Sequence, residues 1–104
     1  MSAQVDEGRC AETFKAIGDR TRLSILRNLL AEEKCVTDLA KALSTDPPRI
    51  SFHLARLKFA GLVVDERQGQ RVIYRVNPEI RLQAGRGHAA IDVGCCTLDF
   101  ALEK

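Results

Sequence analysis

The sequence predicts a mostly α-helical chain carrying a β-hairpin wing, the winged helix-turn-helix arrangement, on three observations. Apolar residues recur at helical spacing in four successive stretches, and a tight turn joins the last two. A glycine turn flanked by β-branched residues follows them. Positive charge gathers on the fourth stretch and on that hairpin.

The first helix covers about residues 9–18, where Cys10, Phe14 and Ile17 keep helical spacing and Gly18 ends the run. Asp19 is a good N-cap for the second, in which Leu23, Leu26 and Leu30, joined by Ile25 and Leu29, make a wide apolar stripe. After a short connection at 33–35, a third helix over 36–43 turns Val36, Leu39, Ala40 and Leu43 inward. Ser44, Thr45 and Asp46 supply turn and cap chemistry, and Pro47 and Pro48 fit a first helical turn, where a missing N–H costs nothing. The fourth helix runs to about Ala60, and Gly61 closes it.

In that fourth helix Ile50, Leu54 and Leu57 form the buried stripe, while Arg49, Ser51, His53, Arg56 and Lys58 fall largely off it. The outer face thus has cations and small hydrogen-bonding groups and no carboxylate. It suits a DNA major groove, where phosphates attract the cations and base edges accept from Arg and Ser. An ordinary solvated face has the same composition, so the order of elements has to decide. Strands at 63–67 and 71–76, separated by Gln68-Gly69-Gln70, place Arg67 and Arg71 near a hairpin tip beside that helix.

Past Pro78 the pattern loosens. Residues 78–84 fit a short helix that Gly85 and Gly87 interrupt. In 88–104 the apolar positions are first odd (Ile91, Val93) and then even (Leu98, Phe100). That phase change demands a bulge or turn at Gly94-Cys95-Cys96-Thr97. Adjacent thiols on a flat strand point to opposite faces, whereas such a break would let them converge. A helix starting at Thr97 gives the same pattern.

With 104 residues, 45% of them hydrophobic and 29% charged, one folded domain over 1–104 is expected. It comprises the helix-turn-helix at about 36–60, the wing at about 63–76 and a cysteine-containing segment at 88–104. No apolar run reaches a membrane span and the N-terminus lacks the plan of a secretory signal, so a cytoplasmic protein with no membrane partner is expected. The net charge of +2 says little. Between Lys41 and Arg75, however, seven cations stand against Asp46, Asp65 and Glu66, a footprint of polyanion binding. Cys10, Cys35, Cys95 and Cys96 include no Cys-x-x-Cys pair, which excludes a zinc ribbon or thioredoxin-type site, and in a reducing compartment they are thiols.

Four blocks in order resemble the ArsR/SmtB winged-helix metalloregulators. They are Phe14-Lys15-Ala16-Ile17-Gly18-Asp19-Arg20-Thr21-Arg22-Leu23-Ser24-Ile25-Leu26, then Cys35-Val36-Thr37-Asp38-Leu39-Ala40, then Ile50-Ser51-Phe52-His53-Leu54-Ala55-Arg56-Leu57 with Ala60-Gly61-Leu62-Val63, and the wing from Arg67 to Pro78. The resemblance implies a homodimeric repressor on an inverted-repeat operator, released by a thiophilic metal or metalloid such as As(III), and no permanent cofactor. It implies that Arg49, Ser51, His53 and Arg56 read or position DNA, with Ser44 and Thr45 before them, and that Arg67, Gln68, Gln70 and Arg71 serve the wing.

The chain also departs from the family. Arsenic-sensing members begin the third helix Cys-x-Cys, but here it reads Cys35-Val36-Thr37. Zinc and cobalt members use Asp and His on a long last helix, which a glycine-broken segment with His88 as its one imidazole does not match. Gly94-Cys95-Cys96 is instead similar to vicinal pairs near the C-terminus of some metalloid sensors. Soft ions prefer two or three thiolates, so Cys95 and Cys96 are the expected pair. Because the first helix and the C-terminal segment build the dimer core in this family, Cys10 is the first choice for a third ligand and Cys35 the second.

Two rival readings use the same cysteines, and a third keeps the fold without DNA. A disulfide formed under oxidants would make the protein a redox-sensing repressor, which thiol titration separates from metal binding. A small thiol oxidoreductase would need a group placed to activate a thiol, and the sequence shows none beside Cys95–Cys96. A winged helix that binds only protein would be insensitive to salt, whereas a DNA binder is stripped by it.

Overall fold

The computed structural model describes residues 7–102, so the expected unit 1–104 begins and ends outside the described residues. Four helices come first: α1 (Glu7–Ile17), α2 (Arg20–Ala31), α3 (Val36–Leu43) and α4 (Pro47–Phe59). Strands β1 (Val63–Gln68) and β2 (Arg71–Val76) form one antiparallel hairpin, and β3 (Arg81–Leu82), β4 (His88–Asp92) and β5 (Thr97–Ala101) a second antiparallel sheet in that order.

Local chemistry sets the helix ends. The Asp19 carboxylate accepts from the backbone N–H of Arg22 at 3.1 Å and caps α2. Ser44, at φ 51°, turns the chain out of α3, and Gly61, at φ 80°, turns it out of α4 into the first strand. The helical core is Ile25, Leu26, Leu29 and Leu30 of α2, Leu39 of α3 and Ile50, Leu54 and Leu57 of α4, all essentially inaccessible. Leu23, counted in the predicted stripe of the second helix, is instead exposed.

The wing pairs Val63 with Val76 through to Gln68 with Arg71, leaving Gly69 (φ 66°) and Gln70 as a two-residue turn. Its root is fastened by a short bridge. Lys34 and Tyr74 exchange backbone hydrogen bonds at 3.1 and 2.8 Å, tying the α2–α3 connection to β2.

The region after Pro78 corrects two expectations. Residues 78–84 hold no helix: the backbone turns there and enters β3, which pairs Arg81 with Ile91 and Leu82 with Ala90. Nor does a helix start at Thr97, which opens β5. The change of phase has a simple cause. In the β4–β5 register Ile91 opposes Leu98 and Ala89 opposes Phe100, so odd residues of one strand share a face with even residues of the other. The N–H of Val93 donates to the carbonyl of Cys96 at 3.0 Å and closes the turn around Gly94 (φ 100°) and Cys95. Ala89, Ile91, Val93 and Phe100 complete the core on the helices, and Arg81 donates to the carbonyl of Leu30 at 2.9 Å, satisfying the end of α2.

Candidate DNA-binding surface and thiol site

On α4, Arg49, Ser51 and Arg56 are exposed, as the stripe Ile50–Leu54–Leu57 requires of the opposite face. His53 corrects the sequence reading, which placed it among DNA contacts. It is only 8% exposed. Three residues after Ile50 and four before Leu57, it falls on the buried edge of the helix. Its Nδ1 accepts from the Arg22 guanidinium at 2.9 Å, which requires the proton of the neutral ring on Nε2. The Asp19 carboxylate stands 4.0 Å away. Burial lowers the His53 pKa, and Arg22, Arg49 and Arg56 lower it further against the opposing pull of Asp19. The Asp19 pKa is lowered in turn, first by the Arg22 backbone N–H and then by the charges around it.

Before α4, Ser44 is exposed, while Thr45 is half-buried and its hydroxyl donates to the carbonyl of Leu43 at 3.0 Å. In the wing, Arg67, Gln68, Gln70 and Arg71 are exposed. Arg71 reaches back to α3, donating to Cys35 Sγ at 3.1 Å and to the Asp38 carboxylate at 3.2 Å. Hydrogen bonding from the Cys35 thiol, with Arg71 and Lys41 nearby, lowers the Asp38 pKa. Arg75 and Lys58 are also paired, with Glu66 at 2.9 Å and Asp65 at 3.0 Å. Charge and hydrogen-bonding capacity do not single out Phe52, yet it is 55% exposed on the same outer face of α4.

The four cysteines do not converge as expected. Cys10 of α1 and Cys95 of the β4–β5 turn are joined as a disulfide, their Cα atoms 6.2 Å apart, where thiols were expected. Cys96, the expected partner of Cys95, is exposed and unlinked. The reason is the hairpin: Cys95 occupies the turn and faces α1, while Cys96 is already paired with Val93. Cys35 is buried at the start of α3, bonded to Arg71. Among the described residues no group of three or more Cys, His, Asp or Glu side chains is arranged to hold a metal ion. Cys10 also lines a cleft of about 480 Å³ between α1, the α4–β1 turn and the second sheet, with Leu62, Ile80, Val93 and Gly94 on its far walls. His88 is exposed and paired with Asp99 at 2.9 Å. No helix among the described residues is long and apolar enough to cross a membrane.

The model of the bacterial regulatory proteins of the arsR family matches residues 19–64, from the cap of α2 into β1. The arsenical resistance operon repressor of Escherichia coli K12 is 46% identical over 77 residues, covering 72% of this chain and 65% of that protein. The transcriptional repressor SdpR of Bacillus subtilis is 39% identical over 67 residues, covering 64% of this chain and 74% of that protein. A homodimeric winged helix-turn-helix DNA-binding domain from Mycobacterium bovis superposes with a TM-score of 0.67 at 33% identity, covering 76% of this chain and 78% of that one. The chain spans between 53% and 65% of the length of the arsenic regulators it matches. Sequence and fold agree: the chain belongs to the arsR family of bacterial regulatory proteins and is built on a winged helix-turn-helix.

Proposed function

We propose that this chain is a homodimeric transcriptional repressor that leaves an inverted-repeat operator when a thiophilic metalloid such as As(III) is captured at cysteine sulfurs. The single observation that carries the sensing half is the meeting of Cys10 and Cys95 across 85 residues of sequence. Two sulfurs that touch when oxidised make, once reduced, a pair that a soft trivalent ion can bridge. Cys96, next along the turn but exposed outside the pair, becomes a third donor only if the reduced turn rearranges, and a thiolate of a second copy is the alternative. Relatives that act in arsenical resistance support the choice of ion.

DNA is held by Arg49, Ser51 and Arg56 of α4, with Ser44 and Thr45 at its approach and Arg67, Gln68, Gln70 and Arg71 along the wing. Release follows from linkage: capture that reorders the β4–β5 turn against α1 shifts the two subunits between shapes of different DNA affinity. The recognition helices then lose the spacing of about 34–36 Å that successive major grooves require. A cytoplasmic site of action fits such a regulator.

The Cys10–Cys95 bond favours a second reading, in which the disulfide is itself the trigger. One experiment separates the two. Reduced protein on a fragment of its own promoter is challenged in a mobility-shift assay with trivalent arsenic under reductant, and separately with an oxidant. Release by arsenic, abolished in Cys10→Ser and Cys95→Ser, supports the metalloid reading. Release by oxidant alone supports the redox reading. Unchanged binding in both arms defeats ligand-triggered release at these sulfurs.

A further inference from the structure

We propose that Phe52 is a specificity-determining residue that reads the 5-methyl group of a thymine in the major groove, with Arg56 held over its ring as the adjacent donor. The inference rests on the DNA-binding reading above and goes beyond it. Phe52 lies two residues from both Ile50 and Leu54, about 200° around the helix from each, so it stands at the middle of the outward face of α4. There its ring is 55% exposed, between the cations Arg49 and Arg56.

The ring is braced. The Arg56 guanidinium lies 5.3 Å from its centroid, and the His53 ring packs edge-on with centroids 5.3 Å apart and planes at 69°. His53 is itself held by Arg22 at 2.9 Å. Single exposed apolar side chains are ordinary on proteins. A braced aromatic ring at the centre of a basic helix face is a more specific feature, because the groove is where this face goes.

The chemistry of the groove then selects the partner. Guanine, cytosine and adenine present hydrogen-bonding groups and no methyl at the major-groove edge, and an aromatic ring set against those groups strips their water without replacing it. Thymine alone presents an apolar methyl, on C5. With Arg56 occupying one face of the ring, the rest of Phe52 is left for that methyl, and the guanidinium edge remains able to donate to O6 and N7 of a neighbouring guanine.

The test uses the full chain and a random duplex library. Sites enriched by the wild-type protein are resynthesised with each thymine replaced by deoxyuridine, which removes the methyl and nothing else. The expected result is one position per half-site at which uracil weakens binding about four-fold, the worth of one buried methyl group. Phe52→Ala should bind that site equally with either base, and Phe52→Leu should keep part of the discrimination. Both variants alter an exposed side chain, and circular dichroism verifies their fold. Indifference of the wild type to every uracil overturns the inference, as does equal discrimination by Phe52→Ala. Enrichment of no sequence at all overturns the DNA-binding reading, a failure recognisable as distinct from either.

Discussion

The guanidinium of Arg22 donates to Nδ1 of His53 across 2.9 Å, and this bond fastens the first turn of α2 to the middle of α4. It lets a histidine sit within the core, and it fixes the neutral ring. Arg22 also donates to the carbonyl of Ala16, so the same side chain fastens α1. The orientation of the recognition helix therefore depends on a buried polar contact as well as on leucines.

Removing the imidazole should be costly. His53→Ala leaves the Arg22 guanidinium half-satisfied and is expected to destabilise the fold by about 1–3 kcal/mol. Urea denaturation checks it; an unchanged midpoint would show that the contact contributes nothing.

The same contact sets a pH dependence. Burial holds the His53 pKa below its ordinary value near 6.5, so on acidification the unfolded chain takes up a proton before the folded one does. Stability is full above about pH 6.5, falls as pH drops from there towards the folded pKa, and levels off below it. His53→Gln should flatten this portion of the curve. A further decline at lower pH, as Asp19 is protonated, should remain in that variant.

The linked sulfurs should matter to folding apart from any sensing. A bond between Cys10 and Cys95 closes a loop of 85 residues, and such crosslinks contribute about 2–4 kcal/mol. Reductant should lower the Tm of oxidised wild-type protein and leave that of Cys95→Ser where it is. Cys96→Ser should behave as wild type, since Cys96 is exposed and unlinked.

The two wing arginines should differ. Arg67→Ala is expected to reduce the slope of log affinity against log salt by about one, the signature of one phosphate contact. Arg71→Ala should reduce it by less, because the Asp38 carboxylate at 3.2 Å already offsets part of that charge. Equal slopes for both variants would show that the Asp38 contact opens on DNA.

Core and surface can be contrasted on one helix. Leu54 is fully buried, and Leu54→Ala should cost about 2–5 kcal/mol. Phe59 is 95% exposed two positions beyond Leu57, and Phe59→Ser should leave the monomer fold within about 0.5 kcal/mol of wild type. A large loss of dimer in Phe59→Ser would instead place that ring at a subunit contact.

The sequence by itself determined the elements whose cause is local. Asp19 as a cap, Pro47 and Pro48 in a first turn, Gly61 as a stop and the glycine turn of the wing are decided by a residue and its near neighbours. So is the stripe Ile50–Leu54–Leu57, because helical periodicity needs no distant partner. Tertiary structure alone decided the rest. His53 lies at the margin of that stripe, and only the approach of Arg22 from α2 makes the buried side tolerable for an imidazole. The odd-then-even pattern of 91–100 fits a bulge, a helix start or a hairpin equally, until Ile91 is seen opposite Leu98. Cys95 and Cys96 are neighbours in the chain, but a turn sends one sulfur to α1 and leaves the other outside. Contacts such as Arg22–His53 and Cys10–Cys95 follow from how whole elements pack, and no short window of sequence contains both partners.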